Sequence, residues 1–312
     1  MRDTARQLMA LCAALLVVSA LLAVATAWHT GWERWPFIGP ENLAGILRQS
    51  ATFLVLSVGM TLVIISGGID LSVGSVMALG SVLVALALRG GASVPLAVAA
   101  GVGGATVCGL VNGVVSVKGR IPSFIVTLGM MLVARALAFV IAGGETIYVG
   151  SESAAVRSLP LILPAVVVLL GWVVLDRTRF GRGLYAVGGN AEAARLSGLR
   201  VDALRIGAFA ICGATAGLAA VIHWARSGTG SNLTGANAEL DAIAAAVIGG
   251  TSIVGGEGHV LGTLLGVLLM SVLRNGLVLF ELSDELQRLV IGIVIVVAVF
   301  IDRLRARGRT HS

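Results

Sequence analysis

Apolar runs of about 20 residues recur along almost the whole chain, the length an α-helix needs to cross a bilayer core. Ten are counted, at roughly 8–28, 50–66, 71–88, 94–117, 123–141, 160–175, 204–224, 241–254, 260–279 and 286–301. The short alternating segments of a membrane β-barrel are absent. The chain is 57% hydrophobic and only 12% charged, against about 25% charged in soluble domains. The expected fold class is therefore an all-α polytopic membrane protein with about ten transmembrane helices. The 42 glycines suit helices packed closely in lipid. Cys12, Cys108 and Cys212 all fall in apolar runs, without metal spacing, and read as small packing residues.

Positive charge orients the spans, because basic residues stay on the cytoplasmic side. With the N terminus inside, the inner loops and tails collect 14 of the 22 basic residues, among them Arg2, Arg6, Lys118, Arg120 and the group from Arg177 to Arg205. Glu33, Glu41, Glu145, Glu152, Glu239 and Glu281 fall outside. An even number of spans places both termini in the cytoplasm. Topology and anionic lipid thus account for the net charge of +6, and no aromatic-interleaved basic patch suggests nucleic acid. The first run, with Ala25-Thr26-Ala27, also resembles a cleavable signal. Its length and the spans that follow favour an uncleaved helix. The chain divides into an N-terminal helix and periplasmic loop at 1–40, a transmembrane domain at 41–302 and a basic cytoplasmic tail at 303–312.

Two spans carry glycine interruptions. Gly67, Gly68, Gly74 and Gly80 recur at Gly249, Gly250, Gly256 and Gly262, each displaced by 182 positions. Paired glycines bend or break helices, and backbone freed inside a bilayer must face protein or water. Such breaks line transport sites in some folds, and tight turns between spans give the same spacing. Candidate residues of a translocation path or helix break are Ser66, Gly67, Gly68, Asp70, Ser72, Asn112, Arg135, Gly249 and Gly250. Asp70 reads first as the N-cap of a helix beginning at Leu71, and second as a substrate ligand. Arg135 either snorkels to the outer surface or faces an aqueous path. Gly109-x3-Gly113, Gly213-x3-Gly217 and Gly262-x3-Gly266 have helix-packing spacing.

Lys118 is the only lysine and its context is SVKGR, so a P-loop is impossible. No Ser-His-Asp, HExxH or paired-carboxylate arrangement lies within a span, and His223 and His259 lack partners at metal spacing. The chain reads as a transporter subunit without catalytic or metal residues and without a cofactor of its own. Energy from nucleotide must then come from a partner. A long polar loop, 176–203, with FGRGLYAVGGNAEAARLSGL at 180–199, is the place to attach one. Glu192, Ala193 and Ala194 open a short helical patch there and Gly198 closes it. A solvated basic loop that only fixes orientation is the plainer alternative.

Several long strings together resemble one family. They are GMTLVIISGGIDLSVG at 59–74, Asn112-Gly113, IPSFIVTLG at 121–129 with Arg135, GGNAEAARLSG at 188–198, ELDAIAAAVIGGTSIVGG at 239–256, Leu261–Gly266 and LRNG at 273–276. The chain is similar to the permease subunits of bacterial ABC importers of the ribose type, over about 41–301. Glu257 and His259 depart from the family pattern, which has a basic and a small polar residue there.

The resemblance implies an ABC importer permease fold in the bacterial inner membrane. It implies a second permease subunit, identical or related, an ABC ATPase subunit that binds ATP and magnesium, and a periplasmic sugar-binding protein. Gly181, Arg182, Gly188, Asn190, Glu192, Ala193, Ala194 and Gly198 would couple to the ATPase. The cargo would be a monosaccharide. Autoinducer, inositol, nucleoside or branched amino acid are alternative cargoes, and an ion-coupled secondary transporter using Asp70 is the rival mechanism.

Overall fold

A computed structural model describes residues 2–30, 35–150, 154–283, 285–287, 289–294 and 296. Its helices are α1 (Arg2–Thr30), α2 (Pro40–Ile65), α3 (Val73–Arg89), α4 (Val94–Lys118), α5 (Ser123–Ile141), α6 (Ala154–Arg177), α7 (Arg179–Gly189), α8 (Ala191–Leu196), α9 (Val201–Ser227), α10 (Ala238–Ile248) and α11 (Val260–Leu279). Two short strands, β1 (Ile147–Tyr148) and β2 (Thr229–Gly230), pair antiparallel.

Among the described residues, seven helices are long and apolar enough to span a membrane, and α3 is a shorter apolar helix. The span expected at 241–254 is instead the 11-residue α10, preceded by a non-helical stretch at 231–237. The span expected at 286–301 is helical at 286–287, 289–294 and 296, and the rest of it, with the tail at 303–312, lies outside the described residues. The stretch expected as a coupling loop is mostly helix, α7 and α8. The second span begins at Pro40, well before residue 50, because proline suits the first turn of a helix and Glu41 complements its N-terminal dipole.

Helix α2 is the hub. It is 83% buried over its apolar window, against 6% for α1. Helices α6, α9, α10 and α11 surround it. Val55, Leu56, Met60 and Leu62 to Ile65 are almost wholly buried there.

Glycine sets how closely the helices approach. In the α4–α9 seam a Cβ on Gly109 would sit 3.0 Å from the Gly213 Cα, and one on Gly217 2.6 Å from the Val102 Cα. On α11, Gly262 and Gly266 give the same access to the α10 backbone at Gly249 and Ala245. All three glycine pairs of the sequence therefore lie at helix crossings. Close backbone approach replaces the hydrophobic drive that lipid cannot supply.

The contacts sort the connections into two ends. Lys118 pairs with Asp202 at 3.2 Å. Gln7 lies against Gly250, and Gly188 against Ile65. At the opposite end Asn42 Nδ2 donates to Asn275 Oδ1 at 2.9 Å, Gly150 N donates to Gly228 O at 3.2 Å, and His29 meets Phe280 edge-on at 5.7 Å. Apart from α7 and α8, the helices alternate in direction between these ends.

Gly213→Val should destabilise the protein by about 1–3 kcal/mol through overpacking, whereas Gly103→Val, facing open space, should not. Thermal unfolding in detergent, followed by size-exclusion chromatography, checks both.

Candidate functional site

Helices α7 and α8 form a platform across one end of the bundle. Thr178 Oγ1 accepts from Gly181 N at 3.1 Å and caps α7. Gly181 lies directly on the α6 carbonyls of Val174 and Leu175, where a side chain would clash. Gly183, Leu184 and Val187 face inward, while Arg179 and Arg182 are exposed. Asn190 ends α7 and starts α8, its Oδ1 accepting from Ala193 N at 2.9 Å. Gly198 closes α8 with φ 82°, and Leu199 N returns to Ala194 O at 3.1 Å.

Ala194 packs inward against Val187 and Val201. Glu192, Ala193, Arg195 and Leu196 point outward. Leu196 is 82% exposed. The sequence reading missed it because the stretch was judged by its small residues. Helical spacing from the inward Ala194 was the available signal.

Beneath the platform three backbones meet. A side chain on Gly188 would run into Ile65 O and Gly256 N. Gly256 N donates to Ile65 O at 2.9 Å. Gly255, Gly256 and Gly67 hold positive φ, at 99°, 77° and 82°. Gly67, from the break after α2, thus meets Gly188, from α7, groups that the sequence kept apart. Around them Arg205 Nε donates to Ser66 O at 3.3 Å and Tyr185 OH to Gly258 O at 2.8 Å. Burial and the nearby Asp176 carboxylate push the Tyr185 hydroxyl up to about 12, so it stays a donor at physiological pH. His259 caps α11, accepting from Leu261 N at 3.3 Å, and approaches Asp176 at 3.3 Å. That gives one of the two departures from the family pattern a local use.

The break between α2 and α3 is held by side chains from α5. Ile69 N donates to Ser123 Oγ and Leu71 N to Thr127 Oγ1, both at 3.0 Å. These replace the lost helical partners, as buried backbone requires. Helix α3 starts at Val73, not Leu71, and Ser72 occupies the N-cap. Asp70 instead forms a tight local turn, its Oδ1 accepting from Ser72 N at 2.9 Å and Ser72 Oγ at 2.6 Å. Asn112 Nδ2 on α4 donates to Ser72 Oγ at 2.8 Å. Asp70, Ser72 and Asn112 are thus one buried chain of hydrogen bonds.

Gly249 and Gly250 follow α10 as Ser66 and Gly67 follow α2. Gly67 N→Ile64 O and Gly68 N→Val63 O match Gly250 N→Val247 O and Thr251 N→Ala246 O. The two caps correspond at a displacement of 183, not the 182 of the glycine string. The same cap recurs after α3 and α5, so it carries no argument for duplication.

Arg135, which the sequence left between the outer surface and an aqueous path, is half-buried and paired with backbone. Its guanidinium donates to the carbonyls of Asn232 and Thr234, the latter at 2.9 Å. It thereby pins the non-helical stretch that leads into α10. Gly74 and Gly235 approach backbone to backbone beside it, and the Glu239 carboxylate fills the space that a Gly74 side chain would take.

The family model for branched-chain amino acid transport systems, permease component, matches residues 42–299. A ribose import permease protein of Escherichia coli K12 is 41% identical over 278 residues, covering 85% of this chain and 87% of that protein. The ribose import permease protein of Bacillus subtilis 168 is 40% identical over 86% of this chain and 87% of its own. A D-allose transport system permease protein of E. coli K12 is 35% identical, over 91% and 90% respectively. No solved structure matches.

Asn190→Ala should cost the α8 cap about 1 kcal/mol. Amide exchange of Ala191 to Leu196 in the full chain should then accelerate, with α9 unchanged.

Proposed function

The chain belongs to the permease-component family of branched-chain amino acid transport systems, and from that premise we propose that it is the membrane subunit of an ATP-driven importer of a ribose-like monosaccharide. It is a multi-pass protein of the inner membrane. The observation that carries the sugar reading is the extended identity to permeases named for ribose and allose, over nine-tenths or nearly so of the chain.

The importer would contain two permease subunits, identical or related, and their interface would enclose the path. About ten crossings would place both termini and the α7–α8 platform in the cytoplasm. The basic residues at that end, Lys118, Arg120, Arg179, Arg182, Arg195 and Arg200, support this orientation. A periplasmic binding protein would deliver sugar to the opposite end. The ATPase partner would bind ATP and magnesium and seat Ala193 and Leu196 in a surface cleft. Closure of that partner would shift α8, and the permease would alternate between outward and inward access. Gly181, Gly188, Asn190 and Gly198 shape the platform; Arg182, Glu192 and Ala193 are its exposed contacts.

Asp70 accepts two short local bonds in its buried turn, which favours a structural role over ion coupling. An Asn at this position retains the accepting oxygen.

Two outcomes follow. Leu196→Asp should weaken ATPase docking by roughly thirtyfold, the equivalent of losing a hot-spot contact of about 2 kcal/mol, with membrane insertion unchanged. Co-purification and D-ribose uptake in membranes holding the complete importer measure this, and normal docking and uptake would refute the platform's role. Asp70→Asn should keep most ATP-driven uptake; loss of uptake with normal folding and ATPase docking would refute the structural role and point to Asp70 as a substrate ligand.

A further inference from the structure

Helices α2, α6 and α11 leave a groove of about 430 Å³ on the side of the bundle, within the roughly 300–1,000 Å³ of small-ligand sites. Leu54 comes from α2, Val168, Leu169 and Trp172 from α6, and Leu261 and Leu264 from α11. Ala165, the smallest lining residue, keeps the groove open. Every lining side chain is aliphatic or aromatic. On the other side of α11 the bundle is shut by an ion pair, in which Arg274 Nη2 donates to both Asp241 carboxylate oxygens at 3.1 Å. No such pair shuts the groove.

Its open side faces lipid. Leu161, Ile162, Val166 and Leu170 on α6 are all exposed, large and apolar, and they belong to a span at Ser158–Arg177. At one end of the groove the chemistry changes. The Arg177 guanidinium, at the end of α6, lies 5.4 Å over the half-buried Trp172 ring. Arg177 is exposed and pairs with no carboxylate among the described residues. Its neighbour Asp176 is engaged by His259 at 3.3 Å, and Arg179 is exposed two residues further on. Tryptophan and arginine at the end of a span are the residues that a membrane–water interface favours.

We infer that this groove binds one anionic phospholipid, with an acyl chain along Leu54, Val168 and Leu264 and the phosphate on Arg177. The two halves of such a lipid match the two halves of the site. The chain fills apolar space, and the guanidinium presents planar N–H donors that suit phosphate oxygens. Stacking on Trp172 holds that guanidinium at the mouth of the groove. The inference goes beyond the importer reading, because it needs only the membrane location.

The first test uses the unmodified full chain in detergent. Phosphatidylglycerol should raise the midpoint of thermal unfolding more than phosphatidylcholine does, and the difference should vanish in Arg177→Gln. The second test locates the lipid. Trp28, Trp32, Trp35 and Trp224 are replaced by Phe, which leaves Trp172 as the single tryptophan. The protein is placed in phosphatidylcholine vesicles holding a minor share of lipid with brominated chains, which quench indole fluorescence on contact. Brominated phosphatidylglycerol should bind at Trp172 about fivefold more strongly than brominated phosphatidylcholine, the effect of one basic residue near the surface. Arg177→Gln should remove the preference, and Ala165→Phe should lower quenching by both lipids. A control with Trp172→Phe and Leu16→Trp, on the exposed face of α1, should show no preference.

Equal quenching by the two lipids at Trp172, or the same preference in the control, means ordinary lipid contact and overturns the site. Quenching by neither lipid also overturns it and assigns the face to a protein contact. If the quadruple Phe variant does not fold, the unfolding midpoints of the unmodified chain decide. Equal shifts with both lipids, or a difference that persists in Arg177→Gln, overturn the proposal.

Discussion

The carbonyl of Ile65 is the point on which the rest of the structure turns. It ends the most buried helix, accepts from Gly256 N at 2.9 Å, and lies against Gly188. Three separate stretches, the end of α2, the end of α7 and the α10–α11 connection, are therefore joined backbone to backbone. No flexible side chain intervenes. Close packing of this kind transmits displacement instead of absorbing it. On the proposed mechanism, a partner that displaces the exposed platform would displace the hub helix and the α10–α11 connection with it.

The glycine seams and the polar network extend that arrangement. Helices α4 and α9 touch through Gly109 and Gly213, which makes a stiff wall beside the break after α2. Asp70, Ser72 and Asn112 tie α3 to α4, and Arg135 ties α5 to the stretch before α10. Non-helical backbone survives inside the bundle because these groups, with Ser123 and Thr127, supply its hydrogen-bond partners. One end of the molecule is a basic platform and the other a small strand pair with side-chain ties. That asymmetry fits an importer driven from one side.

The long spans were legible because length and apolarity survive any packing. Helix α7 was not, because its glycines at 181, 183, 188 and 189 read locally as loop; tertiary contact with α6 and the α2 break makes them assets. Helix α10 was overestimated, since Gly249 and Gly250 end it while the apolar residues Ile253 and Val254 continue the hydropathy beyond. At Asp70 the expected N-cap of a helix at Leu71 was misplaced: the helix begins at Val73 after Ser72, because an aspartate can close a local turn as well as cap a helix. The fate of Arg135 depends on carbonyls almost a hundred residues away, and the closed pair of Asp241 and Arg274 on two different helices. Neither juxtaposition has a local signature.

The most direct test of the central claim is the number of ATP molecules hydrolysed per sugar imported when the complete importer carries Gly188→Ala. A methyl group here has no space against Ile65 and Gly256. The account predicts that the assembled variant keeps ATP hydrolysis while D-ribose uptake falls by about tenfold or more, the cost of an overpacked junction. An unchanged ratio in a correctly folded variant would contradict it.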